Sequence, residues 1–470
     1  MKILAQMRSK ARPATSRGPN HAGCLVLAAR LVRSVRGLAL SLVCCTVASM
    51  AFAQAQPAQL TTAERSWIAA KLYDSIHLYF GHWEGVPDLD LDRSFRDYLD
   101  RAMRAPDRRA FDLASMEFMA GLHNGHSGFS DDWLSTEYGQ PLGFLLESLP
   151  EGWVVTESGV AGLEPGDVLT EISGRAFEAF YQEQVRYIAG SSDRSRRDAL
   201  NAAPFLWPEQ FELLLSNGKR VQIDRRTQKI GTFRGFARHQ PQFPANVAYI
   251  AIPSFESTKD EQQAIASVRA KSSAAALIVD VRGNGGGNTP AELMRTLMDR
   301  PWQDFPATTR IYISDIAATN SVGKLLTGPE LTDYLRGMLD QAGYFEGAEL
   351  RYPGERYEPL PTSYRGKVII LIDRYCMSAC EDFVEPFAST HRGLLVGEAT
   401  GGSSGQPFFY SFGNGMSFLV SSRRYRLLDG RPFEGVGLTP DVEARSTLTD
   451  MLAGRDAPLE RAVHLATNGN

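Results

Sequence analysis

A chain of 470 residues with 43% hydrophobic and 22% charged content reads as a soluble globular protein, long enough to bury two or three cores. Its 50 Lys and Arg nearly balance 54 Asp and Glu, but the balance is uneven along the chain. The first 53 residues hold eight bases and no acid, so the remainder carries 42 bases against 54 acids, a net charge of −12 that argues against a nucleic-acid partner.

That basic N-terminal stretch runs into GLALSLVCCTVASMAFA, an apolar run ending in small residues at Ala51 and Ala53. A basic region, a short apolar region and an A-x-A site predict a secretory signal over 1–53, cleaved after Ala53. An uncleaved membrane anchor is the alternative, but the apolar run is short for a span. The expected product is exported, periplasmic or secreted, with no stable membrane span. Cys24, Cys44 and Cys45 leave with the signal, so only Cys376 and Cys380 remain.

Residues 54–135 form a predicted helical segment. Apolar positions recur every three or four residues in AERSWIAAKLYDSIHLYF, FRDYLDRAM and FDLASMEFMAGL. The pattern stops at HNGHSGF, whose glycines predict an exposed turn. Residues 136–232 change to short strands. PLGFLLE and GWVVTES alternate, and FELLLSNGKRVQIDRR reads as a hairpin turning at Asn217-Gly218. Between them AGLEPGDVLTEISGR is a turn feeding a strand. It resembles the A-G-L-x-P-G-D signature of PDZ domains, which bind an extended C-terminus by strand addition. By that resemblance Leu142, Gly143 and Phe144 would form the substrate-binding carboxylate loop. A small β domain that only packs is the alternative.

After a polar connector, residues 233–470 alternate strands with helices. VAYIAIPSF, AAALIVDV and KVIILID are near-continuous apolar strands, and helices are expected at 259–271, at 289–299 and from 378. This predicts an α/β core with a mostly parallel sheet. Residues 316–362 read as an inserted helical segment, with PELTDYLRGMLDQAG its clearest helix.

Four stretches could carry chemistry. DVRGNGGGN, residues 280–288, follows a strand; its glycines can aim backbone N–H groups at a negative oxygen, or merely turn the chain. Its spacing fits neither phosphate-loop pattern. In CMSACEDF, Ser378 opens a helix with Glu381 three residues on, so a capping box competes with a nucleophile at the helix N-terminus. HNGH offers His123 and His126 without a third metal ligand at convincing spacing; a general base is the alternative, and His126 is the better placed because glycine flanks it and a turn exposes it. FEGVGLTPDV places Glu434 in a glycine-rich loop.

Together, from roughly 60 to 445, these motifs resemble the C-terminal-processing (tail-specific) serine peptidases and their tricorn-core relatives. VAYIAIPSF with ALIVDVRGNGGG is the most specific match, and LHNGHSGF, CMSACEDF, GEATGG and EGVGLTPDV fall at corresponding places. Asn124 stands where that family usually has Asp. The resemblance implies a crotonase-like or ClpP-like core with an inserted PDZ-like domain, polypeptide substrates, and no metal or cofactor.

Family members use a Ser/Lys dyad or a Ser with a His and a late Glu. Ser403 stands at the dyad lysine's place, and a hydroxyl cannot act as that base. The resemblance therefore implies Ser378 as nucleophile, His126 as base and Glu434 as its carboxylate, with Gly286 and Ala379 as the oxyanion hole. Tricorn relatives carry a serine before the histidine; here it is Gly125, which leaves open a direct or a hydroxyl-mediated link to Glu434. A bridge between Cys376 and Cys380 would brace the Ser378 turn, if Cys376 lies outside the helix. Two further readings remain: an idle member that binds peptides or hydrophobic ligands, and a PDZ-centred adaptor. Oligomeric state is not legible in the sequence.

Overall fold

The computed structural model describes residues 59–237, 239, 242–310 and 349–468. The expected signal over 1–53 and the helix PELTDYLRGMLDQAG lie outside the described residues. The described end of the inserted segment 316–362, read as helical, is not helical: Glu349–Tyr352 is a strand, paired antiparallel with Ala307–Arg310. No helix among the described residues is long and apolar enough to cross a membrane.

The α/β core is a five-stranded sheet in the order Val442–Glu443, Gly393–Gly397, Lys367–Ile372, Ala276–Asp280, Val247–Ala251, with every pair parallel. All five residues of Ala276–Asp280 are buried, which explains why its sequence does not alternate. Leu277 and Val279 face the helices Thr258–Ala270, Ala291–Leu297 and Ala379–Thr390, while Ala276 and Ile278 pack with Leu459, Ala462 and Leu465 of the C-terminal helix.

The β-rich insert is an antiparallel sheet in the order Phe144–Leu149, Gly152–Ser158, Val168–Ile172, Gln210–Leu215, Arg220–Asp224. Its hairpin turns at Asn217-Gly218, where Gly218 adopts φ +83°, as the sequence predicts. Phe144–Leu149 is an edge strand, and the helix Asp193–Ala199 with the turn after it connects this sheet to the core.

The N-terminal helices Thr62–Tyr79, Leu91–Arg104 and Arg108–Ala120 form as expected, the first behind a Thr61 capping box with Glu64. They do not close a core alone. The strand Gly128–Asp131, inside the stretch read as helical, pairs antiparallel with Met416–Ser421, and the helices bury Met416, Phe418 and Val420 of that strand. The buried Arg108–Asp131 ion pair joins helix to strand, at 2.6 Å. This places the HNGH turn, immediately before Gly128, beside segments from the far end of the chain.

Candidate active site

Ser378 sits between the buried strand Lys367–Ile372 and the helix Ala379–Thr390. Its backbone is held at φ +56°, ψ −126°, a region that costs a non-glycine residue of order 1–3 kcal/mol. Neighbours hold it there. Ser378 N–H donates to the Ser403 carbonyl at 2.8 Å, and Met377 N–H to Asn284 O at 3.3 Å. Asp373 accepts from Gly283 and Tyr375 N–H groups, tying the glycine-rich loop to this turn. A disulfide joins Cys376 to Cys380 across Ser378, with Cα atoms 5.3 Å apart, so the bridge expected from the sequence is present. Ser378 remains partly exposed.

The capping-box alternative is not realised. Ser378 is the N-cap residue, yet its side chain makes no capping bond. Glu381 is buried and turned away, accepting from Thr400 Oγ1, Gly402 N–H at 2.8 Å and Ser403 N–H at 3.0 Å. It thereby shapes the run 400–403. Burial pushes its pKa up to about 8, against the lowering effect of those three donors.

Ser403 joins the two halves of the site. Its carbonyl holds Ser378, and its Oγ lies 3.0 Å from His126 Nδ1. His126 is partly buried, and desolvation pushes its pKa down to about 4, leaving the ring neutral near pH 7. Among the described residues no hydrogen bond joins Ser378 Oγ to this ring. His123 turns elsewhere, 3.5 Å from the Arg196 guanidinium.

Glu434 reaches His126 through hydroxyls. Ser191 Oγ donates to Glu434 Oε1 and lies 3.1 Å from Ser403 Oγ. Ser403 also bonds Glu434, and Ser404 N–H lies 3.5 Å from its Oε2. Gly125 explains the missing serine: a Cβ there would stand 2.7 Å from Ser403 Oγ and 3.2 Å from Ser191 Oγ, so those hydroxyls fill its space. Asn124 is equally specific. Its Nδ2 donates to Glu434 Oε1 at 2.8 Å while its Oδ1 accepts from His126 N–H at 2.9 Å. An aspartate there would set a second negative charge against Glu434. Burial pushes the Glu434 pKa up to about 7, against the hydrogen bonds from Ser191, Ser404 and Ser403.

Of the expected oxyanion donors, Ala379 occupies the first helical position, whose N–H has no partner within the helix. Gly286 lies against Ser378, since a Cβ on it would stand 2.9 Å from the serine Cβ. Its N–H, however, donates to Asn284 Oδ1 at 2.9 Å, so in this conformation it is not free to hold an oxyanion. Leu142 and Phe144 are buried in the insert, and Gly143, at φ +82°, packs under Val160 and Ile230. The carbonyls of Leu142 and Gly143 are taken by Gln228 Nε2 and Gly159 N–H.

Three participants escape the sequence. Ser191 and Ser403 carry no motif of their own as hydroxyl partners; the second is visible only as a serine in a lysine's place. His82 is buried, with Nδ1 4.0 Å from Glu434 Oε2, and desolvation pushes its pKa down to about 4.

A partly exposed serine at a helix N-terminus, a neutral imidazole and a half-buried carboxylate linked by hydroxyls are groups whose chemistry suits acyl transfer. Residues 246–444, which contain the parallel sheet, Ser378 and Glu434, match the sequence model of peptidase family S41. Over these residues the chain is thus similar to peptidase family S41, and the matched stretch lies on an α/β fold with a parallel sheet. It is similar to the chloroplastic C-terminal processing peptidase of Tetradesmus obliquus, at 23% identity over 292 residues, 60% of this chain and 53% of that protein. The chain therefore spans about half the length of the curated relative it matches. The solved structure of mature CPAF superposes with a TM-score of 0.65 at 15% identity, over 87% of this chain and 98% of the other. That of mature CPAF complexed with lactacystin gives 0.64 at 15% identity, over 86% and 99%.

Proposed function

We propose that the protein is an exported serine endopeptidase that cleaves polypeptides by acyl transfer through Ser378. The observation that carries this reading is the double role of Ser403, which grips the nucleophile's backbone and the base's ring at once. His126 takes the proton from Ser378 Oγ, and the oxygen attacks the scissile carbonyl. Ala379 N–H holds the tetrahedral oxyanion, joined by Gly286 N–H once it turns from Asn284. The imidazolium returns its proton to the leaving amine, and the C–N bond breaks. Water, deprotonated by the same ring, then hydrolyses the acyl-enzyme and frees Ser378. Glu434 stabilises the transient imidazolium through the intervening hydroxyls. No step uses a metal or cofactor.

The core is read as crotonase-like or ClpP-like, and the insert as a PDZ-like reader of substrate C-termini. The reading of the insert as a reader rests on the A-G-L-x-P-G-D signature before the strand Val168–Ile172; in the Leu142–Gly143 loop the carbonyls are already engaged by Gln228 and Gly159. At the edge strand a tail would compete with Asn201, whose amide now pairs both the N–H of Leu146, at 2.9 Å, and its carbonyl, at 2.7 Å. Export rests on the basic, then apolar, then small-residue order of 1–53.

Reaction with a serine-directed fluorophosphonate tests the proposal. The wild-type chain is expected to be labelled on Ser378 and Ser378→Ala to take no label; equal labelling of both would refute it. A second reading, an idle member that only binds peptides, draws on the absent Ser378–His126 bond and the occupied Gly286 N–H. It predicts peptide affinity without label.

A further inference from the structure

Ser191 belongs to the β-rich insert by sequence but not by contact. Its segment is anchored at both ends. Beyond the helix Asp193–Ala199, Leu200, Leu206 and Trp207 are buried in the insert's own core. On the other side, Arg194 Nη2 donates to the carbonyls of Ala399 at 3.0 Å and Thr400 at 2.9 Å, and Asp198 lies 2.9 Å from Arg374, four residues before the nucleophile. Ser191 then enters the catalytic half, where Gly125 N–H donates to its Oγ at 2.9 Å.

Proton counting fixes the direction of the bonds. A serine hydroxyl has one proton, and an ionised carboxylate has none. Ser191 must therefore donate to Glu434 and can only accept from Ser403. Whether Ser403 gives its proton to Ser191 or directly to Glu434, that proton points away from His126. Ser403 Oγ then accepts from Nδ1–H of the ring, which leaves the Nε2 lone pair free for Ser378.

We propose that Ser191 is a positioning residue of the catalytic site, through which the insert helps Glu434 fix the tautomer and orientation of His126. This role rests on the peptidase reading given above. The insert would then be part of the catalytic assembly as well as a reader of substrate. The titratable groups facing Glu434 and this hydroxyl pair are His126, His82 and, behind the 400–403 run, Glu381.

The test compares Ser191→Ala with Ser191→Thr in the full chain, reading the rate of fluorophosphonate labelling at Ser378 across pH. Ser191→Ala is expected to slow the maximal labelling rate by roughly tenfold to a hundredfold, with half-saturating probe concentration unchanged and the acid limb displaced. Ser191→Thr, which keeps the hydroxyl, is expected to restore most of the rate and the wild-type limb. Labelling of Ser191→Ala at the wild-type rate and pH dependence would overturn the proposal. So would equal slowing by Ala and Thr, which would mean that shape rather than the hydroxyl matters. A wild-type chain that takes no label would refute the peptidase reading itself, and this role with it.

Discussion

Ser378 reaches the site on one continuous segment, whereas His126, Ser191, Ser403 and Glu434 arrive from four. The Ser378 turn is built by a strand, a helix and a disulfide within 367–390, to which the Ser403 and Asn284 carbonyls each add one backbone bond. His126 is held only where the HNGH turn, the insert, the 400–403 run and the Glu434 loop meet. A contiguous site survives small shifts of its surroundings, since its geometry is local. A convergent one depends on every element that carries a member, so substitutions on the base side should harm catalysis with little loss of fold.

The sharpest way to break that contrast is Gly125→Ala. The added Cβ would meet Ser403 Oγ at 2.7 Å, and the easiest relief is rotation of that hydroxyl away from His126. The labelling rate at Ser378 should fall by about a hundredfold or more. Thermal unfolding should move little, because Gly125 is not in the left-handed region and the atoms its Cβ would meet belong to serine side chains, whose hydroxyls can rotate, and not to the backbone. A rate within twofold of wild type would show that the base side tolerates displacement and that the contrast is mistaken.

A smaller effect comes from pH. Burial pushes Glu434 up to about 7, so its proton returns as pH falls through that value. Protonated, it no longer requires Ser191 to donate, and the polarity that leaves Nε2 free is lost. Log(kcat/KM) should therefore decline by about one unit per pH unit below about 7. Were His126 alone to set this limb, its desolvation would place the fall near pH 4. Stability runs the other way. The folded chain binds this proton more tightly than the unfolded chain, so the group's contribution to stability falls as pH rises from the ordinary glutamate range through about 7. Glu434→Gln should flatten both dependences.

The same contrast explains what was legible in the sequence. The parallel core shows because a buried strand such as Ala276–Asp280 is apolar without interruption, and the insert shows because its hairpin alternates around Asn217-Gly218. Ser378 was visible, but Glu381 misled: three-residue spacing suggests a cap, and only the fold reveals that this carboxylate shapes the 400–403 run. Ser191 was invisible because no local pattern marks a hydroxyl whose side-chain partners, Ser403 and Glu434, lie more than 200 residues away. Likewise, the strand Gly128–Asp131 belongs to a pairing with Met416–Ser421 that short-range periodicity cannot register.

The most direct measurement is the rate at which a fluorophosphonate labels Ser378 in wild-type protein and in His126→Ala, with the modified residue located by mass spectrometry. A neutral ring held through Ser403 as the proton acceptor predicts a loss of about 10²–10⁴-fold in the variant, with the fold intact. Equal rates in the two proteins would mean that some other group deprotonates Ser378, and the convergent half of the site would have no catalytic part.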